Sequence, residues 1–372
     1  MKFKFLLLAL LIGSMVIAQK KTYLLVGTYT SKKGEGIYVY DFDTKTAGNS
    51  FVSVVKSSNP SYLAISPNKK IVYAANENAD STNDGIGGSV SAYSFNKGNL
   101  TFINKQFSGG KHPCYVTVDK SGKWVFAGNY SSGTLAVFPT KPSGSLAAAS
   151  QVITHSGTGP NAGRQEAPHV HSTVLSPDNN YLFVPNLGID KVMCYNFNKT
   201  TGKLTPTTQV SANSEPGSGP RHMEFAPNKK YAYLMEELTG TVVVYAYKNG
   251  RLSKQQRISA MPADFTGSLG SADIHVSADN RFLYCSNRGT SNTITIFKIN
   301  PVNGKLAVIG HQSTLGKTPR NFNFDPSGNF LLVANQETDN IVIFKIDKAT
   351  GLLTDTGKQI SVPNPVCLKW IN

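Results

Sequence analysis

The chain repeats one pattern six times, with a spacing of about fifty residues. Each copy consists of an alternating apolar strand, a short turn such as the PNKK of residues 67–70, and a second apolar strand. A third apolar strand follows every copy, and a Gly-x-Leu signal usually introduces a fourth. The six copies begin at Pro60, Pro113, Val170, Pro220, Ser271 and Pro319. Four antiparallel strands repeated at this period predict the blades of a β-propeller, because solenoid repeats are shorter or contain helices.

The two ends of the chain supply a seventh blade. Residues 22–56 contain apolar strands in the positions of a second, third and fourth strand, but no first strand. The C-terminal PVCLKWI, residues 365–371, is a first strand with nothing after it. Pairing the two closes the ring and leaves no strand edge exposed. The sequence therefore predicts an all-β fold, a seven-bladed β-propeller with four antiparallel strands per blade, closed by pairing of the C-terminal strand into the N-terminal blade.

The N-terminal segment has the pattern of an export signal. Two lysines precede an apolar run over residues 5–17, which ends at the small residue Ala18. The alternative is an uncleaved membrane anchor, but the run is short for a spanning helix and no second such stretch occurs. We therefore expect a signal peptide over residues 1–18 and one propeller domain over residues 19–372. The mature protein should be periplasmic or secreted, without stable membrane association.

The chain is basic, with a formal net charge of +15. Much of this charge falls in turn sequences along the whole chain, such as residues 68–70, 121–123 and 228–230. No basic run interleaved with aromatic residues occurs, so the pattern is typical of solvated turn lysines and excludes nucleic acid as the expected partner. An anionic small molecule remains compatible with this charge.

The four cysteines occupy unrelated places in the repeat. Cys114 and Cys367 begin innermost strands of blades that are not neighbours, whereas Cys285 lies on a second strand and Cys194 on a third. A disulfide needs Cα atoms within about 7 Å of each other. We therefore predict four free thiols.

Two positions in every blade should face the same mouth of the central channel, because the first strand starts where the second strand ends. The first position reads Ser61, Cys114, His171, Arg221, Ala272 and Arg320 along the six copies. The second position reads Tyr29, Glu77, Tyr130, Leu187, Glu237, Arg288 and Gln336. An Asn usually precedes the second position, and its recurrence favours a structural cap of the strand end over a ligand. A substrate site should therefore consist of the residues that break the repeat.

The residues that break the repeat at this mouth are ionisable, namely His171, Arg221, Glu237, Arg288 and Arg320. Guanidinium groups bind carboxylates or phosphates in a bidentate way and stabilise a developing oxyanion. A neutral histidine or a carboxylate can act as a general base. The set therefore suits an anionic ester or lactone. The structural alternatives are channel-lining ion pairs for the arginines and a satisfied histidine for His171.

Arg320 is expected to contribute to substrate binding, together with three further residues, His169, Glu77 and Gln336. His169 and His171 could ligate zinc, but no further His or Cys spacing supports a metal site, and we expect neither a metal nor a cofactor. No phosphate-cradling Gly loop and no GxSxG nucleophile motif occur. The longest departure from the repeat, SGTGPNAGRQEAP over residues 156–168, is either a functional loop or surface decoration.

Several long segments give the chain a resemblance to a known family. They run over residues 171–192, 219–245, 277–297 and 318–344, and they include GPRHMEF and TPRNFNF. The chain resembles the seven-bladed propeller lactonases, the family that contains the propeller type of bacterial 6-phosphogluconolactonase and fungal carboxy-muconate cyclase. The resemblance implies lactone opening by water, while the cyclase branch implies cycloisomerisation. It also implies that the active residues of the cyclase correspond to His171, Arg221, Glu237 and Arg288, and that Arg320 is a further family arginine.

The leading hypothesis is metal-independent hydrolysis of an anionic sugar lactone or phospholactone to the aldonic acid, in the manner of 6-phosphogluconolactonase. Either His171 or Glu237 would activate water, while Arg221 and Arg288 would hold the anionic group and stabilise the oxyanion. The alternatives are a non-catalytic propeller that binds a ligand or protein, and a cycloisomerase of the muconate type. Both catalytic hypotheses require the side chains of His171, Glu237, Arg221 and Arg288 to meet on one rim of the ring.

Overall fold

The structure is a computed structural model that describes residues 21–30, 33–79 and 87–372. The predicted export signal over residues 1–18 lies outside these residues. In the described ranges, twenty-eight strands, numbered β1 to β28 in chain order, form seven four-stranded antiparallel sheets. Within the described ranges, no helix has the length and apolarity needed to cross a membrane. The all-β, seven-bladed prediction is confirmed.

Each blade has an inner strand beside the channel, two middle strands and an outer strand. The inner strands are β28 (Pro365–Ile371), β4 (Pro60–Ile65), β8 (Pro113–Val118), β12 (Val174–Leu175), β16 (Pro220–Phe225), β20 (Ser271–Val276) and β24 (Pro319–Phe324). The second strands are β1 (Tyr23–Thr28), β5 (Ile71–Asn76), β9 (Trp124–Asn129), β13 (Tyr181–Asn186), β17 (Tyr231–Glu236), β21 (Phe282–Asn287) and β25 (Phe330–Asn335). The third strands are β2 (Gly36–Phe42), β6 (Ser89–Asn96), β10 (Thr134–Pro139), β14 (Lys191–Phe197), β18 (Thr241–Lys248), β22 (Thr293–Ile299) and β26 (Asn340–Ile346). The outer strands are β3 (Asn49–Lys56), β7 (Asn99–Phe107), β11 (Gln151–Thr154), β15 (Leu204–Asn213), β19 (Arg251–Ser259), β23 (Leu306–Ser313) and β27 (Leu353–Ser361). One turn of 3-10 helix, Leu187–Ile189, follows β13.

The ring closes between the two ends of the chain. Strand β28 pairs antiparallel with β1, with Tyr23 opposite Ile371 and Leu25 opposite Lys369. The last strand thus becomes the inner strand of the first blade, in the order β28-β1-β2-β3. The predicted closure is confirmed.

The apolar core lies between neighbouring blades, so both faces of the middle strands are buried. Between the first and last blades, for example, Leu24 and Val26 belong to one cluster with Leu332 and Ile343. Burial on both faces explains why these strands are nearly continuous apolar runs rather than strict alternations. All four cysteines are free, as predicted, and all four are buried.

Most inner strands carry a β-bulge at the channel mouth. In β4, β8, β16 and β24 the residue after the leading proline has no partner on the second strand, so that Arg221 and Arg320 are bulge residues. A bulge redirects a side chain and is common beside active sites. In the fourth blade the inner strand is reduced to β12, and His171 lies in the stretch before it, held by a hydrogen bond from its N–H to the carbonyl of Pro185.

The asparagines at the ends of the second strands are structural, as the sequence indicates. Their side-chain amides donate to backbone carbonyls of the connection that precedes the blade: Asn76 to Ser58, Asn129 to Ser108, and Asn335 to Thr314. Each amide therefore fixes the strand end whose next residue points to the channel mouth.

The basic charge lies mainly on the face away from this mouth. The turns that join first to second and third to fourth strands all emerge on that opposite face, and together they contain fourteen Lys or Arg and six Asp or Glu. The described connections on the mouth face contain five Lys or Arg and nine Asp or Glu. Any positive surplus at the mouth is therefore a local feature and not a consequence of the overall charge.

Candidate active site

The carboxylate of Glu237 is the centre of a charged cluster on the channel mouth. Its Oε2 lies 2.8 Å from Nε of Arg221, 3.1 Å from Nη2 of Arg288 and 3.8 Å from Nε2 of His171. Its Oε1 lies 2.7 Å from Nη2 of Arg164. The four residues predicted to be catalytic therefore meet on one rim, together with an arginine that the sequence did not single out.

These side chains meet because of where their backbone positions fall. Glu237 and Arg288 directly follow the second strands β17 and β21, while Arg221 is the bulge residue of the inner strand β16. Backbone carbonyls fix both arginines: Nη1 of Arg221 donates to the carbonyl of Ala272 in the neighbouring blade at 2.5 Å, and Nε of Arg288 donates to the carbonyl of Gly270, just before the inner strand of its own blade, at 2.7 Å. The cluster is thus held by rigid strand ends.

Glu237 is ionised and its arginine partners are charged. Burial alone would raise the pKa of Glu237, but the charges of Arg288, Arg221 and Arg164 outweigh it and lower this pKa to about 2. Burial lowers the pKa of Arg288 to about 10, against the attraction of Glu237, so its guanidinium remains protonated at neutral pH. The site therefore presents cations held by a permanent anion.

His171 is a buried neutral imidazole. Burial, followed by the charge of Arg221, holds its pKa well below the usual range of a histidine. Its Nδ1 lies 3.8 Å from Sγ of Cys114, and the ring meets Tyr130 edge-on with centroids 5.4 Å apart. Burial strongly raises the pKa of the Cys114 thiol, which keeps this sulfur protonated and unsuited to be a nucleophile. The imidazole is thus the group with a free lone pair for a proton.

Arg320 forms a second part of the mouth with Tyr29 and Glu77. Its Nη2 lies 3.5 Å from Oε2 of Glu77, and its guanidinium carbon lies 5.2 Å from the centre of the Tyr29 ring. The Tyr29 hydroxyl donates to Glu77 at 2.8 Å, and burial raises its pKa so that it stays a donor. Within the described residues, no acceptor takes a hydrogen bond of normal geometry from Arg320, which leaves its donors for a ligand.

His169 and Gln336 are less directly engaged. The His169 ring stacks on Tyr130 with centroids 4.3 Å apart, and its nitrogens lie 3.0 Å from the Tyr130 carbonyl oxygen and 3.2 Å from Oε1 of Glu166. Gln336 follows β25 on the same rim, and its side chain has no hydrogen-bond partner among the described residues. Nor do these residues include any group of three or more His, Cys, Asp or Glu side chains that could hold a metal ion.

A polar chain in the channel below His171 escaped the sequence analysis. His222 Nδ1 lies 2.8 Å from Oδ1 of Asp273, and His275 bridges Oδ2 of Asp273, at 3.1 Å, and Oε2 of Glu224, at 2.5 Å. Burial and, to a lesser extent, the charge of Arg221 lower the pKa of His222 to about 3. For His275, the charges of Asp273 and Glu224 outweigh burial and raise the pKa to about 10. The His222 ring lies 5.3 Å from that of His171. These side chains form the floor of the site.

Arg164 is the other residue that the sequence analysis missed. It lies in the long departure from the repeat over residues 156–168, which the sequence left open as loop or decoration. Besides Glu237, Arg164 reaches the hydroxyl of Tyr130 at 3.3 Å. The sequence feature that could have pointed to Arg164 is its position as the single arginine of a Gly- and Pro-rich insertion beside the mouth.

The fold and this site define a class of protein. Residues 23–370 match the family model described as lactonase, 7-bladed beta-propeller, and the chain belongs to that family. It is 42% identical over 352 residues to a 6-phosphogluconolactonase of Bacillus subtilis, which covers 93% of this chain and 97% of that protein.

Solved structures agree with this assignment. A Bacteroides fragilis protein assigned as a 6-phosphogluconolactonase superposes with a TM-score of 0.90 at 40% identity, covering 96% of this chain and 99% of that one. The periplasmic gluconolactonase of Pseudomonas aeruginosa gives a TM-score of 0.89 at 37% identity, covering 95% and 99%. The resemblance inferred from the sequence motifs is therefore confirmed at the level of the family.

Proposed function

We propose that this protein hydrolyses an anionic sugar lactone to the corresponding aldonic acid. The observation that carries the proposal is the charge balance of one cluster at the mouth: among the described residues, the side chains of Arg164, Arg221, Arg288 and Arg320 form ion pairs with two carboxylates, those of Glu237 and Glu77. A surplus of buried or half-buried cations attracts an anion strongly, because the surroundings screen it poorly. By their names, the relatives act on sugar lactones: the Bacillus 6-phosphogluconolactonase on an anionic one and the Pseudomonas gluconolactonase on a neutral one.

In the proposed reaction, His171 is the general base. Its Nε2 takes a proton from water as the water oxygen attacks the lactone carbonyl carbon, and Arg288 stabilises the oxyanion that forms. The carbon–oxygen bond of the ring then breaks, and the leaving ring oxygen takes the proton back from His171. The product is a hydroxy acid, which loses its carboxyl proton to solvent at neutral pH.

Glu237 assists rather than accepts the proton. With a pKa of about 2 and three arginine neighbours, its carboxylate is a poor base at neutral pH. Its Oε2, 3.8 Å from Nε2 of His171, instead stabilises the imidazolium that forms during the reaction. Arg221, which has almost no contact with solvent, positions Glu237.

An anionic substrate would also activate His171. The positive surplus helps to hold the pKa of His171 low in the free protein. A bound anion offsets that surplus and moves the pKa back towards neutrality, where proton transfer is most efficient. Base strength is thus coupled to occupancy of the site.

The proposal is tested with purified protein and a panel of lactones that includes 6-phosphoglucono-1,5-lactone and glucono-1,5-lactone, assayed by acid release with and without a chelator. We expect His171→Ala to lower kcat by roughly 100-fold or more, and chelator to have no effect. If the wild-type protein opens no lactone faster than His171→Ala and Arg288→Ala do, the enzyme proposal is wrong. Tight binding of a sugar acid without turnover would then favour a non-catalytic propeller.

We further propose that residues 1–18 direct export and that the mature domain begins at residue 19. The basic and apolar pattern of the N-terminal sequence supports this, as does the periplasmic description of the Pseudomonas gluconolactonase. N-terminal sequencing of the protein recovered outside the cytoplasm should begin close to Gln19. Recovery from the cytoplasm with residues 1–18 intact would contradict export.

A further inference from the structure

Arg164 differs from the other arginines of the mouth in its exposure. Its side chain is 43% exposed, compared with 1% for Arg221, 16% for Arg288 and 15% for Arg320. Only its Nη2 is engaged, with Glu237 and with Tyr130. In the part of the chain that the structure describes, its Nε and Nη1 donate to no acceptor. Arg164 therefore offers a positive charge and free N–H donors at the outer edge of the site.

The neighbouring residue, Gln165, fixes Arg164 in this position. The Gln165 side chain is fully buried, and its Nε2 donates to the carbonyl of Leu187 and to Oδ1 of Asp190, both at 2.8 Å. The same carboxyl oxygen of Asp190 accepts the backbone N–H of Gly219, just before the strand that contains Arg221. Withdrawing the loop would leave buried polar groups without partners, which is costly. The insertion is thus tied to the backbone of the catalytic cluster.

Arg164 approaches Glu237 on the oxygen opposite to the reacting groups. His171, Arg221 and Arg288 all face Oε2 of Glu237, whereas Arg164 alone faces Oε1. A lactone whose carbonyl carbon lies beside His171 and Arg288 would direct a distant substituent towards the rim. A phosphate suits such a position, because an exposed guanidinium attracts its negative charge and can donate a charge-assisted hydrogen bond to one of its oxygens.

Resting on the lactonase function proposed above, we propose that Arg164 binds an anionic substituent remote from the lactone carbonyl and makes the site selective for phosphorylated over neutral sugar lactones. Glu166 is close to Arg164 in sequence but does not occupy the proposed anion position, because its Oε1 lies 3.2 Å from Nε2 of His169. The insertion that carries Arg164 is then a specificity loop, and Gln165 is its positioning residue.

The test compares Arg164→Gln and Arg164→Lys with the wild type on 6-phosphoglucono-1,5-lactone and glucono-1,5-lactone. Arg164→Gln should raise KM for the phospholactone by roughly 10- to 100-fold, as expected for the loss of a hydrogen-bonded charge, and should lower kcat/KM for the phospholactone at least about tenfold more than for the neutral lactone. Arg164→Lys should restore part of the loss, because it keeps the charge but not the planar guanidinium donors. The matched control is Arg281→Gln on the opposite face, where a similarly exposed arginine lies 2.7 Å from Asp279. This control should change neither KM nor kcat/KM for either lactone.

A second measurement does not depend on turnover. Calorimetric titration with the two products should show that Arg164→Gln weakens binding of 6-phosphogluconate at least about 10-fold more than binding of gluconate. Equal losses for both lactones would mean that Arg164 acts through Glu237 and would overturn the proposal, as would unchanged kinetics with the phospholactone. A wild-type protein that opens only neutral lactones would overturn it together with the anionic substrate proposed above, and only lactone hydrolysis as such would stand. A wild-type protein that opens neither would refute the function itself.

Discussion

Arg221 and Glu237 form an almost solvent-free ion pair within one blade, with Nε of the arginine 2.8 Å from Oε2 of the carboxylate. The two residues are sixteen positions apart in sequence, at the start of an inner strand and just beyond the end of the strand that pairs with it. The register of the β16–β17 hairpin therefore brings them together without any contribution from a loop. Strand pairing and the charge of the active site are thus coupled.

Breaking this pair should destabilise the fold. In Arg221→Ala, Glu237 keeps Arg164 and Arg288 but loses its most buried partner, and the Ala272 carbonyl loses a donor. We expect the free energy of unfolding to fall by about 3–5 kcal/mol, as for other buried pairs with one partner removed. Urea denaturation followed by tryptophan fluorescence measures it. Arg281→Ala, which removes an exposed pair, should cost at most about 1 kcal/mol; similar losses in both variants would show that burial of the Arg221 pair is unimportant.

The dependence of kcat/KM on pH should report the titration of His171. The base is active when neutral, so kcat/KM should be constant at neutral pH and fall only as pH drops through the pKa of His171, which lies well below 6.5. Arg320→Gln removes one of the charges that lower this pKa, so the acidic limb should move to higher pH. An acidic limb in the same place in the wild type and Arg320→Gln would contradict this electrostatic coupling.

The repeat determines most of this site, which is why the sequence could predict it. Once the period is known, Arg221, Glu237 and Arg288 each fall at a bulge or a strand end, and these backbone positions face one mouth in every blade. The sequence could not decide whether His171 or Glu237 is the base, because that depends on the low pKa of Glu237. Three arginines lower this pKa, and they come from the connection between the third and fourth blades and from two further blades. The insertion that contains Arg164 lies outside the repeat, so the repeat does not predict its path.

The floor of the channel was missed for a different reason. His222, Asp273 and His275 occupy ordinary alternating positions of inner strands, and single polar residues there resemble neutral variation within the repeat. Their meaning comes from contacts across the channel, such as the approach of His222 to Tyr62 and Tyr115. Strand pattern alone contains no information about which inner strands face each other across a ring.

The charged state of His275 should make the protein sensitive to alkaline pH. Its pKa is about 10 in the folded protein and about 6.5 when unfolded, so folding favours the protonated form. The resulting stabilisation is fully present below pH 6.5 and is lost as pH rises through 10. His275→Gln should therefore have a lower melting temperature than the wild type at pH 6, and the difference should shrink towards pH 10. An exposed histidine, as in His311→Gln, should show no such trend; a constant difference for His275→Gln would refute the linkage.

Closure of the ring by the C-terminal strand gives the last prediction. Deleting residues 365–372 removes the inner strand of the first blade, exposes the edge of β1, and uncovers core side chains such as Leu368. Because each blade buries its apolar faces only against its neighbours, an incomplete blade should weaken the packing on both sides of the gap. We expect the truncated protein to melt far below the wild type, by more than about 10 °C, or to be recovered only as aggregate. Deleting Asn372 alone is the control, since it removes only exposed contacts with Lys69; an unchanged melting temperature after loss of all eight residues would mean that β28 does not close the ring in solution.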